Sequence, residues 1–197
     1  MATDRMMKLL PRVLVFAVVL GASVGCDQAT KVMATSALKG EPARIYLGDI
    51  FRLQWATNEG AFLSLGAGLS DSARYWVLTV AVGLLLAGIM IYTLASRKLD
   101  VWQVAGYALI AGGGFSNWVD RARFEGKVVD FMNMGIGSLR TGIFNVADLA
   151  ILAGIGVLLI VGQQQEKKAK LAAAAAANQA AAAAASSGAP QKLPPQG

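Results

Sequence analysis

The 197-residue chain contains no histidine. Without an imidazole, Ser-His-Asp and Cys-His catalysis, histidine-ligated zinc and an imidazole proton shuttle are all excluded. A single cysteine, Cys26, excludes an intrachain disulfide and a multi-cysteine metal site. Charge is also scarce: Asp, Glu, Lys and Arg make up 15% of the residues, against roughly a quarter in a soluble domain. With 55% hydrophobic residues and a mean hydropathy of +0.51, the deficit marks a membrane protein. Eighteen basic residues against twelve acidic ones leave +6. In such a chain that excess serves topology, not nucleic-acid binding. Any catalysis must then rest on carboxylates, Lys, Ser, Thr or Tyr.

The charge gaps define the expected spans. Val13 to Cys26 is uncharged and extends back through Leu9 and Leu10; Tyr75 to Ser96 and Val101 to Val119 are uncharged throughout; Leu149 to Gln165 is a fourth gap that can begin near Ile143. A spanning helix needs about 20 mostly apolar residues. The expected fold is therefore an all-α integral membrane protein with four transmembrane helices, at about 9–27, 75–96, 101–120 and 143–162. Arg5, Lys8 and Arg12, then Arg97 and Lys98, then Lys167, Lys168 and Lys170 fall on one side when four helices are threaded. The positive-inside rule makes that side cytoplasmic, with both termini there. Segments 28–74 and 121–142 then face outward, residues 1–8 form a cytoplasmic N-terminus, and 9–165 form one membrane domain. Phe51, Leu53 and Trp55 alternate with Arg52 and Gln54, the period of a half-buried strand, so a small β-sheet is expected on the outer face. Residues 166–197 are a low-complexity Ala-rich tail that builds no core.

Ionisable groups at membrane depth cost on the order of 2.5–3.5 kcal/mol each, so each one demands a reason. Asp27 and Lys31 lie one helical turn apart and are expected to pair. Asn58-Glu59-Gly60-Ala61 follows the expected strand and reads first as a turn. Gly112-Gly113-Gly114 sits within the third helix, where glycines permit close packing or loosen the helix beside a substrate. Asn117 and Asp120 share a face of that helix, with Arg121 adjacent. Asp130 lies inside the apolar run Val128-Val129-Asp130-Phe131, and Asp148 follows Phe144-Asn145-Val146-Ala147 with no basic residue near it in sequence. Each needs a partner or a neutral state. Two carboxylates in a semi-dry site share one proton. One then deprotonates a water while the other protonates a scissile carbonyl, and a peptide bond is hydrolysed without histidine or metal. The same pair would equally serve proton or cation coupling in a small transporter.

In order along the chain, Asp27-Gln28-Ala29-Thr30-Lys31, Asn58-Glu59-Gly60-Ala61, Gly113 to Arg121, Gly126 to Phe131 and Phe144-Asn145-Val146-Ala147-Asp148 resemble the lipoprotein signal peptidase family (signal peptidase II). The resemblance covers about Leu9 to Gly162. It implies a bacterial inner-membrane aspartyl endopeptidase with four helices, its site at the periplasmic face, cleaving diacylglyceryl-modified prolipoproteins just before the lipidated cysteine. It implies Asp130 and Asp148 as the catalytic dyad, and Asp27, Lys31, Asn58, Gly60, Asn117, Asp120, Arg121 and Asn145 as residues that shape the site and hold substrate. Within that set Arg121 and Asn58 are expected to contact backbone carbonyls of the bound peptide. Asn117 and Asn145 are expected to orient the dyad, and Asp27, Lys31 and Asp120 to hold the loop scaffold. The implied partners are prolipoprotein substrates and membrane lipid, with no nucleic acid, no cofactor and no metal; nothing demands more than a monomer. One departure stands out: the family commonly has a second alanine where this chain has Phe62, followed by Leu63.

Ser23-Val24-Gly25-Cys26 after a basic start also resembles a lipoprotein signal with its lipid-accepting cysteine. Three further spans and a polar cluster immediately after Cys26 favour an uncleaved first helix. The transporter alternative requires polar residues continuing inward, yet the chain after Asp148 is apolar down to Gly162.

Overall fold

The computed structural model describes residues 2–60 and 70–187. The elements in chain order are α1 (Ala2–Leu38), β1 (Arg44–Tyr46), β2 (Phe51–Asn58), α2 (Asp71–Arg74), a π-helical segment (Tyr75–Ala81), α3 (Val82–Ala95), α4 (Val101–Arg123), β3 (Val128–Ile136), β4 (Leu139–Arg140) and α5 (Val146–Ser187). The chain forms two compact units, Met1–Leu158 and Leu159–Gly197. The second, described to residue 187, is the remainder of α5, with a Glu166–Lys170 pair of 2.6 Å one turn apart.

Among the described residues, three helical stretches are long and apolar enough to cross a membrane: Leu10–Leu38, Ser72–Ala95 and Val146–Ala180. α4 has the length, at 23 residues, but is not among them. Its apolar run is interrupted by glycines and by Ser116, Asn117, Asp120 and Arg121. The last helix runs past its expected end at 162 to Ser187, and two other expected boundaries also move. The first helix does not end near residue 27 but runs on to Leu38, because no Gly or Pro lies between residue 27 and Gly40. The last helix starts at Val146 instead of near 143, because Asn145 caps it: the Asp148 N–H donates to Asn145 Oδ1 at 3.0 Å, and the Asn145 N–H donates back to Asp148 Oδ2 at 3.1 Å. This is a capping box, with Asp148 in the role usually played by Glu.

α4 is the hub of the bundle. Asp100 opens it, accepting from the N–H groups of Trp102 and Gln103 while Gln103 Oε1 accepts from the Asp100 N–H. Phe16, Leu99, Val104, Ala108 and Ala111 form the buried apolar cluster beneath. Gly112, Gly113 and Gly114 then face three different helices. A Cβ on Gly112 would stand 2.8 Å from Ser23 Cβ of α1; on Gly113, 2.4 Å from the Ala147 carbonyl of α5; on Gly114, 2.5 Å from Leu86 of α3. The triple glycine is therefore a packing device, since helices in lipid gain little from hydrophobicity and associate where small residues allow close approach. Leu10, Leu14 and Val18 of α1 and Leu84, Leu85 and Ile91 of α3 remain exposed, an apolar surface suited to hydrocarbon.

The four strands form one antiparallel sheet in the order β1-β2-β3-β4. A register irregularity lies between Leu53 and Ala56. Leu53 and Trp55 pack with Phe131 against Ala34 and Leu38 of α1, and Trp55 Nε1 donates to Thr35 Oγ1 at 3.1 Å. The expected alternation in burial is absent, because every β2 residue except Thr57 is half-buried. The strand is flanked on both edges and Arg52 is folded back onto Asp49 at 2.5 and 2.6 Å. Because α1 continues past the bundle to reach this sheet, one helix carries both Asp27 and the surface on which β2 and β3 rest.

Candidate active site

Construction begins at Lys31. Its ammonium group has three donors, and each has a partner: Asp27 Oδ2 at 2.7 Å, Asp120 Oδ2 at 2.8 Å and Asn117 Oδ1 at 2.8 Å. Asp27 is 0% exposed and Asp120 1%. Asp27 also accepts from Ser116 Oγ at 2.7 Å and from the Ala147 N–H at 2.8 Å. Asp120 accepts from Gln28 Nε2 at 2.8 Å and from the Val129 N–H at 3.2 Å. Buried charges persist only when paired and fully hydrogen-bonded, and here every carboxylate oxygen has a donor. The triad ties α1, α4, β3 and the first turn of α5 together at one point. The Asp27–Lys31 pair expected one turn apart is formed, and it is buried instead of lying at the water interface.

From that triad the network reaches the two remaining carboxylates. Asn117 Oδ1 accepts from Lys31 and from Asn145 Nδ2 at 3.0 Å, so its amide nitrogen turns to Asp148 Oδ1 at 3.1 Å. Asn145, itself 0% exposed, donates from Nδ2 to Asp130 Oδ1 at 2.6 Å and from its backbone to Asp148. Asn58 Nδ2 donates to Asp130 Oδ2 at 3.0 Å, and its Oδ1 accepts the Gly60 N–H at 2.9 Å. Asn58 thus holds a carboxylate in this structure, where a substrate carbonyl was expected. Arg121 Nη2 donates to the Gly60 carbonyl at 2.9 Å and Nη1 reaches the Asn117 carbonyl at 3.5 Å. All ten residues singled out in the sequence therefore meet in one network. Burial pushes the Asp130 carboxyl up to about 7 against the pull of Asn58 and Asn145, and Asp148 adds to the rise.

Two members were missed. Gln28 bridges Ser116 Oγ at 2.9 Å and Asp120, and Ser116 is fully buried. Each neighbours a residue that was singled out, and Ser116 stands one turn before Asp120. A small hydroxyl within an apolar helix was the available signal.

Beyond Arg121 lies a cavity of about 660 Å³. Tyr75, Leu78 and Trp118 form its apolar side, and Glu59, Arg74 and Lys127 its charged rim. Arg74 and Lys127 (3.2 Å) both pair with Glu59 and hold its carboxyl below the usual range, the Arg74 hydrogen bond contributing most. Trp118 Nε1 donates to the Thr79 carbonyl in the π-helical segment at 2.9 Å. Ala61, Phe62 and Leu63, where the sequence departs from the family pattern, lie outside the described residues. Cys26 lies inside the continuous α1, with Ser23 and Asp27 buried on either side of it. Cleavage there would remove the helix that packs on Gly112.

Buried Asp130 and half-buried Asp148 are thus linked through Asn145 in a helical bundle with membrane-spanning helices, an arrangement compatible with a membrane aspartic peptidase. Residues 19–163 match the family described as signal peptidase (SPase) II. The lipoprotein signal peptidase of Sphingopyxis alaskensis is 42% identical over 139 residues, covering 70% of this chain and 77% of that one. Those of Gloeobacter violaceus and Thermosynechococcus vestitus are each 36% identical, over 70% and 72% of this chain and 75% and 86% of theirs. A bacterial membrane enzyme solved by the in meso method at 2.3 Å resolution shares the fold, with a TM-score of 0.65 at 20% identity over 77% of this chain and 88% of that one. The chain belongs to the signal peptidase II family.

Proposed function

We propose that this protein removes the signal peptide from diacylglyceryl-modified prolipoproteins, cleaving just before the lipidated cysteine with Asp130 and Asp148 as its catalytic pair. Family membership makes it an aspartic peptidase of the bacterial membrane acting on lipoprotein precursors. The observation that carries the residue assignment is the pair of hydrogen bonds donated by Asn145, from Nδ2 to Asp130 and from its backbone N–H to Asp148, which holds the two carboxyl groups in one unit. In that unit one carboxyl group is protonated and the other ionised, because two such groups in a buried site cannot both ionise cheaply. The ionised group takes a proton from a water, whose oxygen attacks the scissile carbonyl carbon. The protonated group gives its proton to the carbonyl oxygen. Collapse of the tetrahedral species breaks the C–N bond, and the departing nitrogen takes the proton that came from water. One hydroxyl of the tetrahedral carbon returns its proton to the carboxylate that had protonated the carbonyl, restoring the singly protonated pair. The pair titrates as one unit, so the shared proton belongs to neither residue alone. Arg121 lies beside Gly60, and among the described residues its Nε has no hydrogen-bond partner; on this reading the guanidinium group holds a peptide carbonyl. Asn117 and Asn145 keep the dyad oriented.

Four spans, with α4 as the fourth, follow from the same arrangement. α4 is about 35 Å long at 1.5 Å per residue, and its Val104, Ala108 and Ala111 are buried by protein, so it can be less apolar than a lipid-facing helix. Arg12 donates to the Ser96 carbonyl, which brings the first basic cluster beside Arg97 and Lys98. The charged triad begins at Asp27, roughly 22 Å further along α1. With basic residues inside, the termini are cytoplasmic and the dyad opens at the periplasmic face of the inner membrane. Acyl chains of the substrate can then remain in lipid while the peptide enters at the surface.

The test is cleavage of a diacylglyceryl-modified precursor by purified protein in detergent, with a chelator present, beside Asp130→Asn and Asp148→Asn. Cleavage before the lipidated cysteine that either substitution abolishes is the expected result. Undiminished cleavage by either variant sinks the dyad.

A further inference from the structure

The charged cavity beyond Arg121 shares that one residue with the carboxylate network, and its other lining groups take no part in the hydrolytic step. We infer that it receives the first residues of the mature chain, those following the lipidated cysteine, and that Lys127, with Arg74 and Glu59, makes cleavage sensitive to their charge. The inference rests on the peptidase reading above and adds a specificity subsite to it.

The placement follows from polarity. A substrate anchored by acyl chains approaches the dyad from lipid, while its hydrophilic mature portion must leave towards water. Arg121 joins the two regions: it bonds the Gly60 carbonyl and Asn117 on the dyad side and lines the cavity on the other. The volume, about 660 Å³, falls within the range of pockets that hold ligands of a few residues' size. The apolar side is built, not accidental. Trp118 is held by the Thr79 carbonyl of the π-helical segment, and Gly83 makes room for it, since a Cβ there would lie 2.9 Å from the indole nitrogen. Single π-turns inside helices are frequent at functional sites.

The rim sets the preference. The ionisable groups lining the cavity are the cations Arg74, Arg121 and Lys127 and the anions Glu59 and Glu125, a positive excess of one. Glu59 is shared between Arg74 and Lys127, and Lys127 is 41% exposed. A substrate carboxylate can therefore draw Lys127 from Glu59 at little desolvation cost. A substrate ammonium group meets the cationic excess instead.

The experiment uses two lipidated precursors differing only in Asp or Lys at the position after the lipidated cysteine. Their kcat/KM ratio is read for wild type, Lys127→Gln and Lys127→Glu. The expected ratio favours Asp about three- to fivefold in the wild type at low salt, the scale of an exposed ion pair. It should approach one in Lys127→Gln, reverse in Lys127→Glu, and flatten in wild type at high ionic strength. A ratio is internal to each enzyme, so partial loss of folded protein does not alter it. Cleavage of both precursors at equal rates by the wild type, or a ratio indifferent to Lys127, overturns the inference while leaving the peptidase standing. Failure to cleave either precursor overturns the peptidase reading and the inference with it.

Discussion

Lys31 Nζ lies 2.8 Å from Asn117 Oδ1, and this contact decides which way the Asn117 amide points. With the oxygen held by an ammonium group, the nitrogen must face Asp148, to which it donates at 3.1 Å. A structural cation thereby orders one of the two carboxylates proposed to be catalytic without touching it.

Replacing Lys31 by Met should destabilise the protein severely, because Asp27 and Asp120 are left buried without their shared cation. Losing one partner of a buried charge set costs about 3–5 kcal/mol, and in a chain of this size each kcal/mol lowers Tm by roughly 2–4 °C. A fall of roughly 10 °C is expected in detergent melts, with a smaller fall for Lys31→Arg. A Lys31→Met protein melting with the wild type would mean that the triad contributes no stability.

Asp130 gives the activity a pH signature. Its carboxyl is pushed up to about 7, chiefly by burial, so the singly protonated dyad should lose its proton, and the enzyme its rate, as pH rises through that region. Asn58 donates to the ionised form and lowers this value. Asn58→Leu should therefore shift the alkaline limb of the kcat/KM profile upward by about one unit or less. A downward shift contradicts the assignment of Asn58 to Asp130.

Folding linkage runs with the same sign. The unfolded chain releases the Asp130 proton near 3.8 and the folded chain near 7, so between those values the folded state binds more protons. Its stabilising contribution is complete below about 3.8 and is lost as pH rises to about 7. Asp130→Asn cannot titrate and should be relatively more stable than wild type at pH about 8 than at pH about 4, measured as the difference in Tm. No change in that difference between the two pH values refutes a buried, proton-retaining Asp130.

The charged members of the polar network stood out in sequence because each is an anomaly where it stands. Asp148 has no basic neighbour, Asp130 interrupts an apolar run, and Asp27 and Lys31 share a helix face at four-residue spacing. What spacing could not convey is depth. Asp27 and Lys31 at the end of a span look interfacial, and only the fold shows α4 and Ala147 closing over them. The extension of α1 to Leu38 was missed for a related reason: a polar stretch after an apolar run reads as a loop unless a sheet rests on it. The role of Asn58 depends on β2 pairing with β3, where Asn58 stands opposite Val128 and Ala56 opposite Asp130. Such pairing brings together residues 72 apart in the chain.

Lipid attachment should dominate substrate affinity. Acyl burial contributes about 0.8 kcal/mol per CH₂, far more than a few peptide hydrogen bonds at roughly 1 kcal/mol each. An unlipidated precursor of the same sequence is expected to be cleaved at least about a hundredfold more slowly, a factor requiring only about 2.7 kcal/mol. Equal rates for the two precursors refute a lipid-anchored mode of binding.

The triple glycine of α4 offers a graded test of the bundle, because the three positions face surfaces of different stiffness. At Gly113 a methyl group would stand 2.4 Å from the backbone carbonyl of Ala147, and at Gly114 2.5 Å from a Leu86 methyl group. Leu86 can change rotamer; the Ala147 backbone cannot move without dragging the α5 N-terminus. That end carries Asp148 and supplies the Ala147 N–H to Asp27. Gly113→Ala should therefore cost about 3 kcal/mol or more, beyond the usual range for overpacking because backbone is the obstacle, while Gly114→Ala should cost about 1 kcal/mol. Gly113→Ala should also lower kcat in whatever fraction remains folded, since displacement of the α5 N-terminus shifts Asp148 relative to Asp130. Melting curves and kcat of the two variants side by side decide the matter: equal losses would mean that α5 yields as readily as a leucine side chain, and that the dyad does not depend on this approach of α4 to α5.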